Sequence, residues 1–289
     1  MKADVSVVIP VYNGAAFLEE TIESALAQTF AAKEIVVVDD GSTDQSAGLA
    51  RRFEPHVSVV CTPNRGVAAA RNTGAALCTG AVLAFLDADD VWFPRKLEVQ
   101  VGHLVDDAHG LVHCAIVEID ATGQSLRERL DGKAGQVLRD LVLFEEPVIL
   151  GGGSGAIFDA ALFHAVGGYD ERLSTSADWD LFIRVAASAS VGFVAEPLMA
   201  YRLHGSNMHR NVDALERDAA LVVAKAFDQN HDLADIRRRA YGNLHYTVGG
   251  AYLNIGRWRP GLRHLARATS LRPAATLVRV GRALARRMR

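Results

Sequence analysis

Along the first 110 residues, short apolar runs alternate with stretches of helical periodicity. Val5 to Ile9 predicts a buried strand, closed by Pro10. Leu18, Ile22, Ala25 and Leu26 recur at the spacing of one helical face, predicting a helix over about 15–28. A second apolar strand, 34–38, breaks at Asp39-Asp40-Gly41-Ser42, where Ser42 or Thr43 is expected to cap the next helix. Then follow a strand at 57–61, a small-residue helix at 66–77, and a strand at 81–86. Pro94 is placed in the first turn of a helix running to about Val105. Strands alternating with helices imply right-handed crossovers and an α/β fold whose mostly parallel sheet carries helices on both faces. In such sheets ligands bind beyond the carboxyl ends of the strands. The polar clusters Tyr12-Asn13, Asp39-Asp40 and Asp87-Ala88-Asp89-Asp90 should therefore gather on one rim.

The segment 111–203 is less regular. It predicts a strand at 111–119, a helix over about 178–189 and short strands at 191–195 and 198–203, with a glycine run at 151–155 between them. Those glycines lack the frames of a phosphate-binding loop and read instead as a close backbone approach to sugar or acceptor. From about residue 211 to 289 the pattern is all-helical. Gly249, Tyr252, Gly261, Leu265, Ala268 and Pro273 stand at the spacing of a tetratricopeptide unit, read as a single helical hairpin.

Composition sharpens this picture in two places. The net charge of −3 conceals an uneven spread: from Arg257 to Arg289 there are ten arginines and no acidic residue. Within that tail, Arg279, Arg282, Arg286, Arg287 and Arg289 alternate with Leu277, Val278, Val280, Leu284 and Met288. A basic amphipathic helix there would bind an anionic membrane surface; a solvated helix, or one paired with the acidic remainder, are the alternatives. Nucleic acid is not an expected partner, because the tail interleaves no aromatic residue beyond Trp258. The cysteines Cys61, Cys78 and Cys114 follow no metal-ligand spacing and read as buried thiols of a cytoplasmic protein. No apolar run reaches the ~18–20 residues of a membrane span, so membrane contact would be peripheral, at the inner face.

Clustered carboxylates at a strand end, as in Phe85-Leu86-Asp87-Ala88-Asp89-Asp90, repel one another unless a cation joins them. Oxygen-only ligands suit Mg²⁺ or Mn²⁺, which can also take diphosphate oxygens. An isolated triplet of this kind would read as a cap or solvated loop. Here it stands in order with Val5–Asn13, Ile35–Asp44, Asn64-Arg65-Gly66, Ala70-Arg71-Asn72-Thr73-Gly74, Gly167-Gly168-Tyr169-Asp170 and Ala177-Asp178-Trp179-Asp180-Leu181. Together these resemble glycosyltransferase family 2, whose fold is called GT-A, across roughly residues 4 to 207.

The resemblance implies an inverting displacement using a nucleoside-diphosphate sugar (a UDP-sugar favoured), a divalent metal, and a glycan or lipid-linked acceptor. It places Pro10, Tyr12 and Asp39 around the base, with Arg71 nearby, and Asp87 and Ala88 at the ribose or metal. Asp89 becomes a metal ligand, with His204 of Tyr201-Arg202-Leu203-His204 completing the shell or meeting the diphosphate. Asp178 becomes the catalytic base, although Ala177 replaces the first member of the family's acidic pair. Without the family, Asp178 is a first-turn acid facing a helix dipole, and Arg71 pairs with a rim carboxylate. Gly205, Ser206 and Asn207 would let a loop close over the donor. The expected organisation is a catalytic domain over 1–210 and a helical region over 211–289, serving surface polysaccharide or glycolipid assembly. A sugar nucleotidyltransferase would need a glycine-rich basic loop after the first strand, and Pro10-Val11-Tyr12-Asn13-Gly14 is not one. A non-catalytic nucleotide-sugar scaffold would have no use for Asp87, Asp89 and Asp178.

Overall fold

A computed structural model describes residues 4–205 and 211–273. These fall into two compact units: the first takes the described residues of Met1–Val137 and Pro147–Asn207, the second those of Leu138–Glu146 and Met208–Arg289. Ser206, Asn207 and the basic segment 277–289 lie outside the described residues.

The first unit is built on a nine-stranded sheet. Its strands are β1 (Val5–Val11), β2 (Glu34–Asp39), β3 (Ser58–Cys61), β4 (Val82–Phe85), β5 (Val91–Trp92), β6 (Leu111–Asp120), β7 (Ser125–Arg129), β8 (Ala156–Asp159) and β9 (Val191–Leu203). They run in the order β3-β2-β1-β4-β8-β6-β9-β5, with β7 attached to β6. The block β3-β2-β1-β4 is parallel, as the strand–helix alternation predicts. Beyond β4 the sheet turns mixed: β8 is antiparallel to both β4 and β6, and β9 is parallel to β6 and antiparallel to β5.

Every residue of β1 is buried, so its alternation feeds two cores. Val5, Val7, Ile9 and Val11 share a cluster with Leu18, Ile22 and Ala25 of helix Leu18–Leu26 and with Leu97, Val101 and Leu104 of helix Lys96–Asp106. On the opposite face, helix Val67–Leu77 approaches so closely that a Cβ on Gly74 would sit 2.3 Å from Val8. The small-residue composition of that helix is thus what lets it lie on the sheet.

Several expectations need correction. Neither Ser42 nor Thr43 caps the second helix, which starts at Ser46 behind Gln45; the intervening residues hydrogen-bond to Asn13 instead. Pro94 precedes its helix, whose first residue is Lys96. The strands anticipated at 191–195 and 198–203 are one strand, β9, interrupted by register shifts opposite Cys114 to Ile116. Strands β5, β7 and β8 have no counterpart in the pattern reading; the two-residue β5 and four-residue β8 are too short to show periodicity. Of the cysteines only Cys114 is buried; Cys61 ends the edge strand β3 and is exposed.

The second unit is helical, with helices Val212–Gln229, Arg237–Asn254 and Trp258–Leu271. The last two pack against each other, and a Cβ on Gly249 would stand 3.1 Å from the Gly261 carbonyl, so glycine lets the helix backbones close. Segment Leu138–Glu146 clips onto this unit through Glu145, which accepts from Arg239, Arg272 and Asn243. Those donors hold its carboxyl down at about 2, with the Arg239 bond the largest cause. Among the described residues, no helix is long and apolar enough to cross a membrane.

Candidate active site

The parallel register sets the rim. Val11 pairs Asp39 across β1 and β2, and Val8 pairs Phe85 across β1 and β4, so Tyr12, Asp39 and Asp87 leave the sheet on the same side. Pro10 is buried within β1, whereas Tyr12, just past its end, is 54% exposed with its ring in solvent. Asp39 is buried; Oδ2 accepts from the Ser42 amide at 3.3 Å, while Oδ1 has no hydrogen-bond partner. Its neighbour Asp40 is spent on structure, accepting from the amides of Arg65 and Gly66 at 2.9 and 2.7 Å. Ala88 packs on the other side of the rim, 3.2 Å from where a Cβ on Gly14 would stand.

Antiparallel pairing of β8 with β4 brings the glycine run back to the end of β4. Gly152–Gly155 forms one helical turn there, entered through left-handed Gly151 and Gly152. A Cβ on Gly155 would stand 2.2 Å from the Leu150 carbonyl, so only glycine fits. Ser154 Oγ accepts the Asp87 amide at 2.9 Å, and the Ser154 carbonyl accepts Trp92 Nε1 at 2.9 Å. Gly153 donates its amide to Asp178 Oδ2 at 3.3 Å.

The Arg71-Asn72 pair joins three motifs. Asn72 accepts the Tyr169 amide and donates to the Tyr169 carbonyl, both at 2.9 Å, locking the Gly167-Gly168 turn onto its helix. Arg71, 2% exposed, donates to Asp87 Oδ1 at 2.6 Å and to Asp178 Oδ1 at 3.1 Å. Its guanidinium lies 5.0 Å from the centroid of the Tyr169 ring. Burial opposes the Arg71 charge, but Asp178 and Asp87 more than restore it, and its pKa is pushed well up. Asp178 sits in the first turn of helix Ala177–Ala186. Burial raises its pKa above the usual carboxylate range; Arg71 opposes that rise and the Asp87 charge adds to it.

The acidic triplet is held from the β9 side. Pairing of Val91 with Ala200 sets the residues before β5 against those ending β9. Arg202 donates its amide to Asp90 at 3.0 Å and its Nε to the Asp89 carbonyl at 2.8 Å, while its outer nitrogen reaches Glu20 at 2.6 Å. His204 Nε2 lies 2.7 Å from Asp89 Oδ2. Burial, and then the Asp87 charge, raises the Asp89 pKa. Burial also pushes the Asp90 pKa well up, with the charges of Asp89 and Asp87 adding to it. Among the described residues no three His, Cys, Asp or Glu side chains converge as a metal-ion set. The charges of Asp87, Asp89 and Asp90 do act on one another, a repulsion that a divalent cation would relieve, so the donor chemistry fits one whose remaining ligands come from a bound diphosphate.

The parallel block, the mixed half beyond β4 and the covering helices define an α/β fold of the GT-A kind. The profile described as Glycosyl transferase family 2 matches residues 6–163, and the chain belongs to that family. An uncharacterized glycosyltransferase of Rickettsia prowazekii is 34% identical over 70% of this chain, which spans only 64% of that relative's length. The chondroitin synthase of Pasteurella multocida is 23% identical over 78% of this chain and 23% of its own. Among solved structures, TarS of S. aureus, in complex with UDP-GlcNAc, superposes with a TM-score of 0.63 at 13% identity, covering 92% of this chain and 91% of that one. The mannosyltransferase PcManGT of Pyrobaculum calidifontis, with GDP-Man and Mn²⁺, superposes with a TM-score of 0.65 at 24% identity, covering 99% and 81%.

Sequence reasoning singled out Pro10, Tyr12, Asp39, Arg71, Asp87, Ala88, Asp89, Asp178 and His204. The structure brings Arg71, Asp87 and Asp178 into one hydrogen-bonded group and Asp89 and His204 into another. Sequence reasoning gave no individual role to Ser154, Gly153, Tyr169 and Arg202, which hold these side chains in place. Their only signals were the glycine run and the Gly167-Gly168-Tyr169 and Tyr201-Arg202 motifs, to which no contact could be assigned.

Proposed function

We propose that the chain is an inverting glycosyltransferase, moving a sugar from a nucleoside-diphosphate sugar to an acceptor hydroxyl in a single displacement. The observation that carries this reading is Arg71, one buried guanidinium shared by Asp87 at the end of β4 and by Asp178 at a helix start. It supports a donor side and an acceptor side within one ion-paired centre.

On the donor side, the partnerless Asp39 Oδ1 would accept the imide N–H of a uracil, and the exposed Tyr12 ring would stack on the base beside Pro10. A buried acceptor left unpaired costs about 1–3 kcal/mol, which the base would recover. TarS was solved with UDP-GlcNAc and PcManGT with GDP-Man, so donors of both bases occur on this fold; the single free oxygen of Asp39 matches the one imide N–H of uracil, whereas guanine presents two donors. Asp89, with Asp87 and His204, would hold Mg²⁺ or Mn²⁺, whose charge offsets that of the departing diphosphate. Ala88, the small residue between the two acids, would lie beside the ribose. On the acceptor side, Asp178 takes the hydroxyl proton as that oxygen bonds the anomeric carbon and the carbon–diphosphate bond breaks on the opposite face. Its raised pKa makes it a stronger base than an ordinary aspartate. The acceptor is a glycan or lipid-linked sugar, and the role is surface polysaccharide or glycolipid assembly.

The test is a panel of UDP- and GDP-sugars screened by thermal shift with Mn²⁺, followed by NMR of the product's anomeric centre. A UDP-sugar should raise the melting temperature and yield product of inverted configuration. Stabilisation by no nucleotide sugar, or retained configuration, would overturn the proposal.

A further inference from the structure

The hairpin of the second unit carries an exposed face to which the proposed transfer assigns no residue. Helix Trp258–Leu271 buries Gly261, His264 and Ala268 along one stripe. Trp258 and Leu262, one helical turn apart, stand on another, 60% and 57% exposed, and Ile255 in the preceding turn is 50% exposed. Arg259, Arg263 and Arg267, also a turn apart from one another, are exposed beside them. Arg257 is neutralised by Asp213 at 2.6 Å, but among the described residues no carboxylate pairs with Arg259, Arg263 or Arg267. The sequence holds no acidic residue after Arg257, so nothing on this helix balances them.

An apolar strip led by tryptophan, flanked by unpaired arginines, fits the boundary layer of an anionic bilayer. Indole and leucine enter the region between headgroups and acyl chains, and guanidinium groups meet lipid phosphates. An acidic protein would match the charge, yet it would leave three large apolar side chains in contact with a polar surface. We infer that the Trp258/Leu262 face of this hairpin, with Ile255, docks on an anionic lipid surface through Arg259, Arg263 and Arg267. This goes beyond the proposed transfer reaction and stands on different residues.

The test uses the full chain and vesicles of phosphatidylcholine with or without phosphatidylglycerol, read by co-sedimentation. Trp258→Ala/Leu262→Ala should lower partitioning about tenfold, through loss of apolar burial alone. Arg259→Gln, Arg263→Gln and Arg267→Gln should each lower it about fivefold on phosphatidylglycerol and leave neutral vesicles unaffected. All these side chains are exposed, and an unchanged circular dichroism melt verifies folding. Tryptophan emission should shift to the blue on anionic vesicles in the native chain and lose that shift in Trp258→Phe. Equal partitioning of native and substituted chains, binding indifferent to phosphatidylglycerol, or a self-association that only the double variant abolishes without any vesicle binding would each overturn the inference.

Discussion

Arg71 donates to Asp178 at 3.1 Å while its other terminal nitrogen donates to Asp87 at 2.6 Å, so the two acids share one buried cation. The planar fork of guanidinium makes this possible where a point charge would serve one partner at a time. Arg71→Lys should therefore keep the fold but lower transfer at least about tenfold. Arg71→Met leaves two half-buried carboxylates uncompensated and should cost about 3 kcal/mol of stability or more. Thermal melts and initial rates of both variants check this; a fully active Arg71→Met chain would remove the bridge from the account.

Much of this centre was legible in the chain before any coordinates. The runs 7–11, 35–38 and 82–85 are buried and almost wholly apolar, so the residues at their carboxyl ends could be set on one rim from pattern alone. The antiparallel half could not. Ala156–Asp159 is four residues following a glycine run, and its place beside β4 depends on pairings such as Val82 with Asp159, far apart in sequence. For the same reason Gly153 and Ser154 could be read only as part of a close backbone approach to sugar or acceptor, with no contact assigned until the fold turns them toward Asp178 and Asp87. Arg202 could be read as part of a motif, but its bonds to Asp90 and Asp89 follow from the β5–β9 register, which a two-residue strand does not announce.

The acidic cluster predicts a metal requirement. Asp89→Asn should reduce transfer by about a hundredfold or more, and a chelator should do the same to the native chain, with activity restored by Mn²⁺ or Mg²⁺. His204→Ala should weaken the response to added metal less severely, since the imidazole meets one oxygen of Asp89 and leaves that carboxylate in place. A metal titration of initial rate reads all three. Undiminished rate in chelator would refute the metal's role.

Glu145 predicts a pH dependence of the second unit's stability. Its carboxyl, about one-fifth exposed, is held at about 2 from an ordinary value of 4.5, chiefly by Arg239 and then Arg272 and Asn243. A lowered folded pKa contributes stability that is fully present above the unfolded value and is lost as pH falls toward the folded one. Glu145→Gln should thus cost roughly 2 kcal/mol at pH 7, with the deficit closing between about pH 4.5 and 2. Denaturant melts of both chains across that range measure it. A deficit independent of pH would mean that the side chain acts through packing.

The role of Asp178 as base is the claim on which the transfer mechanism turns. Burial raises its pKa, so the native rate should climb with pH through an ionisation above the ordinary aspartate value. The most direct measurement is the single-turnover rate of Asp178→Asn alongside calorimetric affinity for the donor. The rate should fall by about a thousandfold, losing the acid limb of its pH profile, while donor affinity stays within about twofold of native. A variant that loses donor affinity in proportion to its rate, or that turns over at near-native speed, would contradict the assignment.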